Sequence, residues 1–221
     1  MADLTPCADP THTPGRLPRT SLVGARTGAR WAAVIAGWGF AVLILAETGL
    51  LSRVPLRALP VVVVVGIVAP IVAVRRSPAL RAAVATTDLA NLTWFNVWRI
   101  PAAAAFFAVG AQGLLPDRFV TNAAWGDLVA GTLAPLVVWA GTRLTGRARR
   151  SAYLAFHTFS FADFVVAVGT GLTFTLLGDP LMNTLLDTPM ALIPLWGVPL
   201  TGAVSLLALH RLLSEHRTAR S

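Results

Sequence analysis

Six apolar stretches, at residues 31–51, 58–74, 92–114, 123–141, 152–177 and 188–209, fill most of this 221-residue chain. A hydrocarbon core of about 30 Å is crossed by roughly 20 helical residues, so each stretch is long enough, or nearly so, to span it. The second is short, but Arg57 and Arg75 at its ends can reach the interface by snorkelling. The apolar residues come in blocks rather than in periodic stripes, so one soluble core does not absorb them. Only 13% of the residues are charged, against about a quarter in an ordinary soluble domain. Strands with open edges would leave backbone groups unpaired in lipid. The expectation is therefore an all-α polytopic membrane helix bundle of about six transmembrane helices over residues 31–213.

The charges order the bundle. All eighteen basic residues are arginine, and the net charge is +8. Fourteen of them lie before the first stretch, between the second and third, between the fourth and fifth, and after the sixth. Arg53, Arg57 and Arg118 lie on the other connections, and Arg99 lies inside the third stretch. The positive-inside bias then places both termini in the cytoplasm. On this reading the arginines set topology and touch anionic membrane lipids, and nucleic acid is not the partner. Residues 1–30 are rich in Pro, Thr, Gly and Arg and are expected to be a disordered basic cytoplasmic tail, with 214–221 a second short tail. Many Ala, Arg, Gly and Pro residues beside no lysine suggest a GC-rich bacterial genome, and with it a multi-pass protein of the bacterial inner membrane. Residues 77–90 open on Ser-Pro, a helix-start signal, and are expected to form a short interfacial helix.

Ionisable side chains inside the apolar stretches carry the functional signal, because each costs at least ~2.5 kcal/mol at a helix centre. Four stand out: Glu47, Arg99, Asp127 and Asp163. From the helical rise, Arg99 lies roughly 10 Å from the inner end of its span and Asp163 roughly 16 Å from the inner end of its own. An arginine side chain could bridge that difference if the third and fifth spans are neighbours. Arginine keeps its charge, so a carboxylate or a wet cavity must accompany it. A buried Arg99–Asp163 pair would either fix helix packing or let Arg99 bind an anionic headgroup or substrate. Glu47 and Asp127, placed near the outer face, could form a paired-carboxylate site for proton transfer or cation binding, or could simply be hydrated. His157, Ser160 and Asp163 follow one another at three-residue steps and so share one side of a helix. That line permits a proton path, though hydrogen bonding between helices is its commoner use.

No cofactor or metal is expected. Cys7 is the only cysteine, and the chain has no P-loop, HExxH, CxxC or nucleophile elbow. His157 and His210 alone lack a second pair of ligands. Trp31, Trp94, Trp125 and Trp139 are read as anchors at the two interfaces.

Residues 92–213 carry a recurring pattern: Arg99 early in one span, Gly113 to Pro116 as a turn, Gly126-Asp127 and Ala134-Pro135 in the next span. Asp163 follows at mid-span, and a Pro-rich last span ends at His210. The pattern resembles a family of small, uncharacterised six-span bacterial inner-membrane proteins, from which this chain departs at Ile100-Pro101 and at His157. The resemblance implies that Arg99, Asp127 and Asp163 act as one constellation, and it implies no substrate.

Three classes of function are open. The first is a protein with a polar intramembrane site that binds a lipid-like, apolar or anionic small molecule, with Arg99, His157 and Ser160 as contacts. The second is an intramembrane enzyme acting on an isoprenoid or lipid, with Glu47, Asp127 or Asp163 as the acid, as in small membrane terpene cyclases. The third is a small transporter subunit, which with six spans would be small unless it dimerises, so a homo-oligomer is possible.

Overall fold

The computed structural model describes the backbone of residues 19–218 and the side chains of 29–214. The described residues form helices joined by turns, with no strand among them. In chain order the α-helices are α1 (Arg19–Glu47), α2 (Leu59–Arg76), α3 (Pro78–Thr86), α4 (Leu89–Trp94), α5 (Arg99–Gly110), α6 (Asp117–Arg143), α7 (Gly146–Leu176) and α8 (Val198–Thr218). Two short 3-10 turns, Leu51–Arg53 and Leu56–Ala58, precede α2, a 3-10 segment at Phe95–Trp98 joins α4 to α5, another at Pro180–Leu186 follows α7, and a π-helical turn, Ile193–Gly197, leads into α8.

Six segments are long and apolar enough to cross a membrane: Ala29–Glu47, Leu56–Arg76, Leu89–Gly110, Asp117–Arg143, Gly146–Leu176 and Ile193–Ser214. The expected count holds, and the boundaries move. The fourth segment starts at Asp117 rather than at 123, because Pro116 is extended and releases the chain straight into helix. The first helix starts at Arg19, ahead of the expected 31; of the basic tail read over 1–30, residues 1–18 lie outside the described residues, as do 219–221 of the second tail. Cys7 lies outside them too. The expected helix after Ser77-Pro78 is α3. The Ser77 hydroxyl accepts from the Leu80 amide at 3.3 Å and Pro78 supplies the first helical residue.

At the core, α6 packs on α5 on one side and on α7 on the other, and α8 packs against α7, α2 and α4. Ala123, Ala124, Ala130 and Ala134 lie buried on α6, and such small residues let neighbouring backbones approach closely. Gly131 sits under the Ile100 side chain, where a Cβ would meet it. The first helix is peripheral. It is held by the Trp196 indole, whose Nε1 donates to Ile35 O at 2.9 Å and whose ring lies over Gly39. The outer surface is apolar over most of its extent, with Phe40, Val65, Leu136, Val166 and Leu177 all exposed. Soluble proteins do not carry apolar surface on this scale, whereas membrane proteins do. Trp31, Trp94, Trp125 and Trp139 are among the exposed side chains, and Trp38, Trp98 and Trp196 are turned inward.

Candidate functional site

Two rows of polar side chains face each other between the third and fifth segments. One row is Thr93, Asn96 and Arg99; the other is His157, Ser160 and Asp163. Thr93 Oγ1 lies 3.1 Å from His157 Nε2, Ser160 Oγ donates to Asn96 Oδ1 at 3.0 Å, and Arg99 Nη2 donates to Asp163 Oδ2. Every rung joins residues 64 apart, so the two rows run parallel. The 3-10 segment between α4 and α5 helps to hold Asn96 and Arg99 in line, while the facing row keeps its three-residue step on the α-helix α7. Side chains three residues apart eclipse in a 3-10 helix, whereas an α-helix would rotate each about 60° off the last. Pro101 lacks the N–H that would bond the Val97 carbonyl in an α-helix, which favours the tighter turn just there.

The Arg99 guanidinium is the hub. It is 2% exposed, and besides Asp163 it donates from Nε to Asp127 Oδ1 at 2.6 Å and from Nη1 to Ser160 Oγ at 3.0 Å. Three sides of the fork are therefore occupied by three acceptors from α6 and α7. Gly126 makes room for the Asp163 carboxylate, since a Cβ on residue 126 would fall on it. At the other end of the row, the Thr93 hydroxyl already donates to Leu89 O at 2.9 Å, so His157 donates from Nε2 to the threonine oxygen. His157 Nδ1 is left as a buried acceptor without a partner.

Arg99 and Asp127 form one end of a cavity of about 140 Å³ whose remaining wall is almost wholly apolar. Leu59, Val63 and Val64 of α2 line it, with Phe106 of α5, Phe119 and Ala123 of α6, and Phe164, Val168 and Leu172 of α7. Val198 and Thr201 of α8 form the back, where Trp98 Nε1 donates to Thr201 Oγ1 at 3.0 Å. Among the lining residues Val64 is 56% exposed and Leu172 is 38% exposed, so the cavity opens between α2 and α7 onto the apolar outer surface.

The structure brings Arg99, Asp127, Asp163, His157 and Ser160 into one network and leaves Glu47 out. Glu47 is exposed at the end of α1, and that helix packs on α3 and the π turn rather than on α6. Of the two alternatives for Glu47 and Asp127, the paired-carboxylate site is therefore not formed, and Glu47 is exposed. Asp127 is also deeper than its expected place near the outer face, because α6 begins at Asp117 and puts it roughly 15 Å into the helix. Thr93 and Asn96 escaped the sequence reading, although both stand at three-residue steps before Arg99 and that spacing was visible. Among the described residues no group of three or more His, Cys, Asp or Glu side chains is placed to hold a metal ion.

Neither the curated proteins nor the solved structures contain a match to this chain. Residues 56–213, which include the whole polar network and every residue that lines the cavity, match a family described as a domain of unknown function (DUF8737). The matched region leaves out the peripheral α1 and covers well over half of the chain, which therefore belongs to the DUF8737 family.

Proposed function

We propose that this protein spans the bacterial inner membrane six times, with both termini cytoplasmic, and takes an amphiphilic small molecule from the bilayer into the cavity between α2 and α7. The observation that carries the reading is the pairing of an apolar cavity, open sideways, with a single buried ion cluster at its closed end. An apolar cavity of roughly 150 Å³ takes a guest the size of benzene. A ring or short branched segment fits inside, and a longer tail would extend past Val64 and Leu172 into lipid.

The cluster also constrains the guest's polar end. Arg99 faces two carboxylates and is engaged at Nε, Nη1 and Nη2, so an anionic end would have to displace one of its own aspartates. Asp127, which lines the cavity, is a better partner for a hydroxyl or an ammonium group that donates to it. An amphiphile with a donor or cationic end is therefore the favoured ligand class, in place of the anionic headgroup that Arg99 alone suggested. Acid-initiated chemistry on an isoprenoid is the enzymatic alternative at the same carboxylate, and Asp127 is then its acid.

Native mass spectrometry of the protein extracted from its own membrane tests this, with Val64→Trp and Asp127→Asn beside the wild type. Val64→Trp blocks the mouth from an exposed position, so it leaves the fold intact. A stoichiometric amphiphile on the wild type, lost from Val64→Trp and weakened in Asp127→Asn, is the expected result. No adduct on the wild type, or one that all three proteins retain equally, would overturn the reading.

A further inference from the structure

A second pocket lies at the arginine-rich end of the bundle, and nothing in the intramembrane site uses it. It has a volume of about 450 Å³ and is bounded by Asp88, Gly146, Arg149, Arg150, Tyr153 and Arg211, with Leu89 and Leu212 at its edge. We propose that it is a binding site for a phosphate group, carried either by an anionic lipid headgroup or by a free phosphate.

Three arginines from two helices, Arg149 and Arg150 of α7 and Arg211 of α8, line one concavity. Two of them are fixed in place by backbone carbonyls: Arg150 Nη2 donates to Leu212 O at 2.5 Å and Arg211 Nη1 donates to Thr87 O at 2.6 Å. Their orientation is thus set before any ligand arrives, which lowers the entropy lost on binding. The third, Arg149, is free to move. Its side chain is 45% exposed, it passes over the ring of buried Tyr153 at 5.8 Å, and its contact with Asp88 spans 3.7 Å. Exposed pairs of that kind contribute little, so an incoming anion competes easily for Arg149.

The amino end of α7 adds to the same field. Gly146, with φ of +52°, turns the chain into the helix at the rim of the pocket, and the Thr145 side chain makes no capping bond there. Gly146, the first residue of this 31-residue helix, lines the pocket, which places the positive end of the helix dipole beside it. A planar guanidinium matches two phosphate oxygens at once, which makes phosphate the anion this set of donors fits best. Asp88 is the carboxylate at the pocket among its described lining residues, and its oxygen is also engaged by the Ala90 amide as the cap of α4.

The test uses the full-length chain. Binding is measured by native mass spectrometry and by thermal shift, with inorganic phosphate against chloride at equal ionic strength for the detergent-solubilised protein. A parallel arm uses nanodiscs of phosphatidylcholine with and without phosphatidylglycerol. Arg149→Gln is the site variant, and Arg147→Gln, exposed on the same turn but outside the pocket, is the control. Stabilisation that Arg149→Gln weakens about tenfold in affinity, the loss of one charge-assisted hydrogen bond, and that Arg147→Gln leaves unchanged is expected. A response to inorganic phosphate assigns a free phosphate, and a response to phosphatidylglycerol alone assigns a headgroup. Equal losses in the two variants would reduce the effect to diffuse surface charge and overturn the site, as would no response to either probe.

Discussion

Arg99 illustrates what one buried charge demands of its neighbours. Its guanidinium fork needs acceptors on several sides, and Asp127, Ser160 and Asp163 supply them from two other helices. Replacing it by Met removes the charge paired with both aspartates and should cost about 3–5 kcal/mol, the usual penalty for breaking a buried pair. Thermal unfolding in detergent reads this as a clear fall in midpoint. Arg99→Lys should recover little of it, because an ammonium group cannot reach three acceptors in a fork; full recovery would mean that charge alone matters. Gly126→Ala probes the same cluster from behind, since the new methyl group would take the place of the Asp163 carboxylate. A loss of about 1–3 kcal/mol is expected, as in other overpacked sites. It should be non-additive with Asp163→Asn, and simple additivity would show that Gly126 acts elsewhere. At this scale the sequence was informative about charge and silent about neutral polar groups. Arg99 and Asp163 were legible because a charge in an apolar run is rare and needs a partner. Thr93 and Asn96 were not, because such residues are ordinary in helices and only the opposite row reveals their use.

The elements differ in how firmly they are held. The third, fourth and fifth segments share the polar rows, the buried alanines and the Phe106–Phe119 edge contact at 5.5 Å, so they form the rigid part. By contrast, α1 docks chiefly through the Trp196 ring over Gly39 and through buried Val42, and only 11% of its spanning segment is buried. Trp196→Leu should therefore loosen α1 alone. Hydrogen exchange should quicken in α1 by the several-fold that one lost hydrogen bond of about 1 kcal/mol implies, with α6 and α7 unchanged. Loosening spread over the whole bundle would show that Trp196 supports the core. Helix existence was readable from apolar length, and α3 from its Ser-Pro start. Boundaries were not, because Asp117, Arg118 and Asn122 look like loop residues by composition although they continue α6. A helix begun at 123 puts Asp127 near its end, whereas the observed start at Asp117 carries it to mid-helix.

Across the whole molecule, an apolar exterior and a sided distribution of arginine are two independent signs of the same environment. Away from the arginines at their ends, the exposed faces of α2 and α7 are lined mainly by valine and leucine, with no exposed charge along 59–74 or 152–176. Arginine gathers on the connections at one end, and the amino end of α7, the carboxy end of α8 and the phosphate pocket proposed above all lie at that end. Cys7 offers a direct test of which side this is. It is the only cysteine and precedes the first apolar segment, so whatever the conformation of its surroundings it reports the side of the α1 amino end. A membrane-impermeant maleimide should label it in inverted vesicles and not in intact spheroplasts. In a Cys7→Ser background, Asn183→Cys, on the exposed face of the turn between α7 and α8, should show the opposite pattern. Five crossings separate the two positions, and an odd number puts them on opposite sides. Labelling of both from one side would remove a crossing from the count, and labelling of Cys7 from outside would invert the whole orientation. Inversion would also leave the arginine pocket facing away from the cytoplasm, so the sidedness measurement decides which leaflet could supply its phosphate.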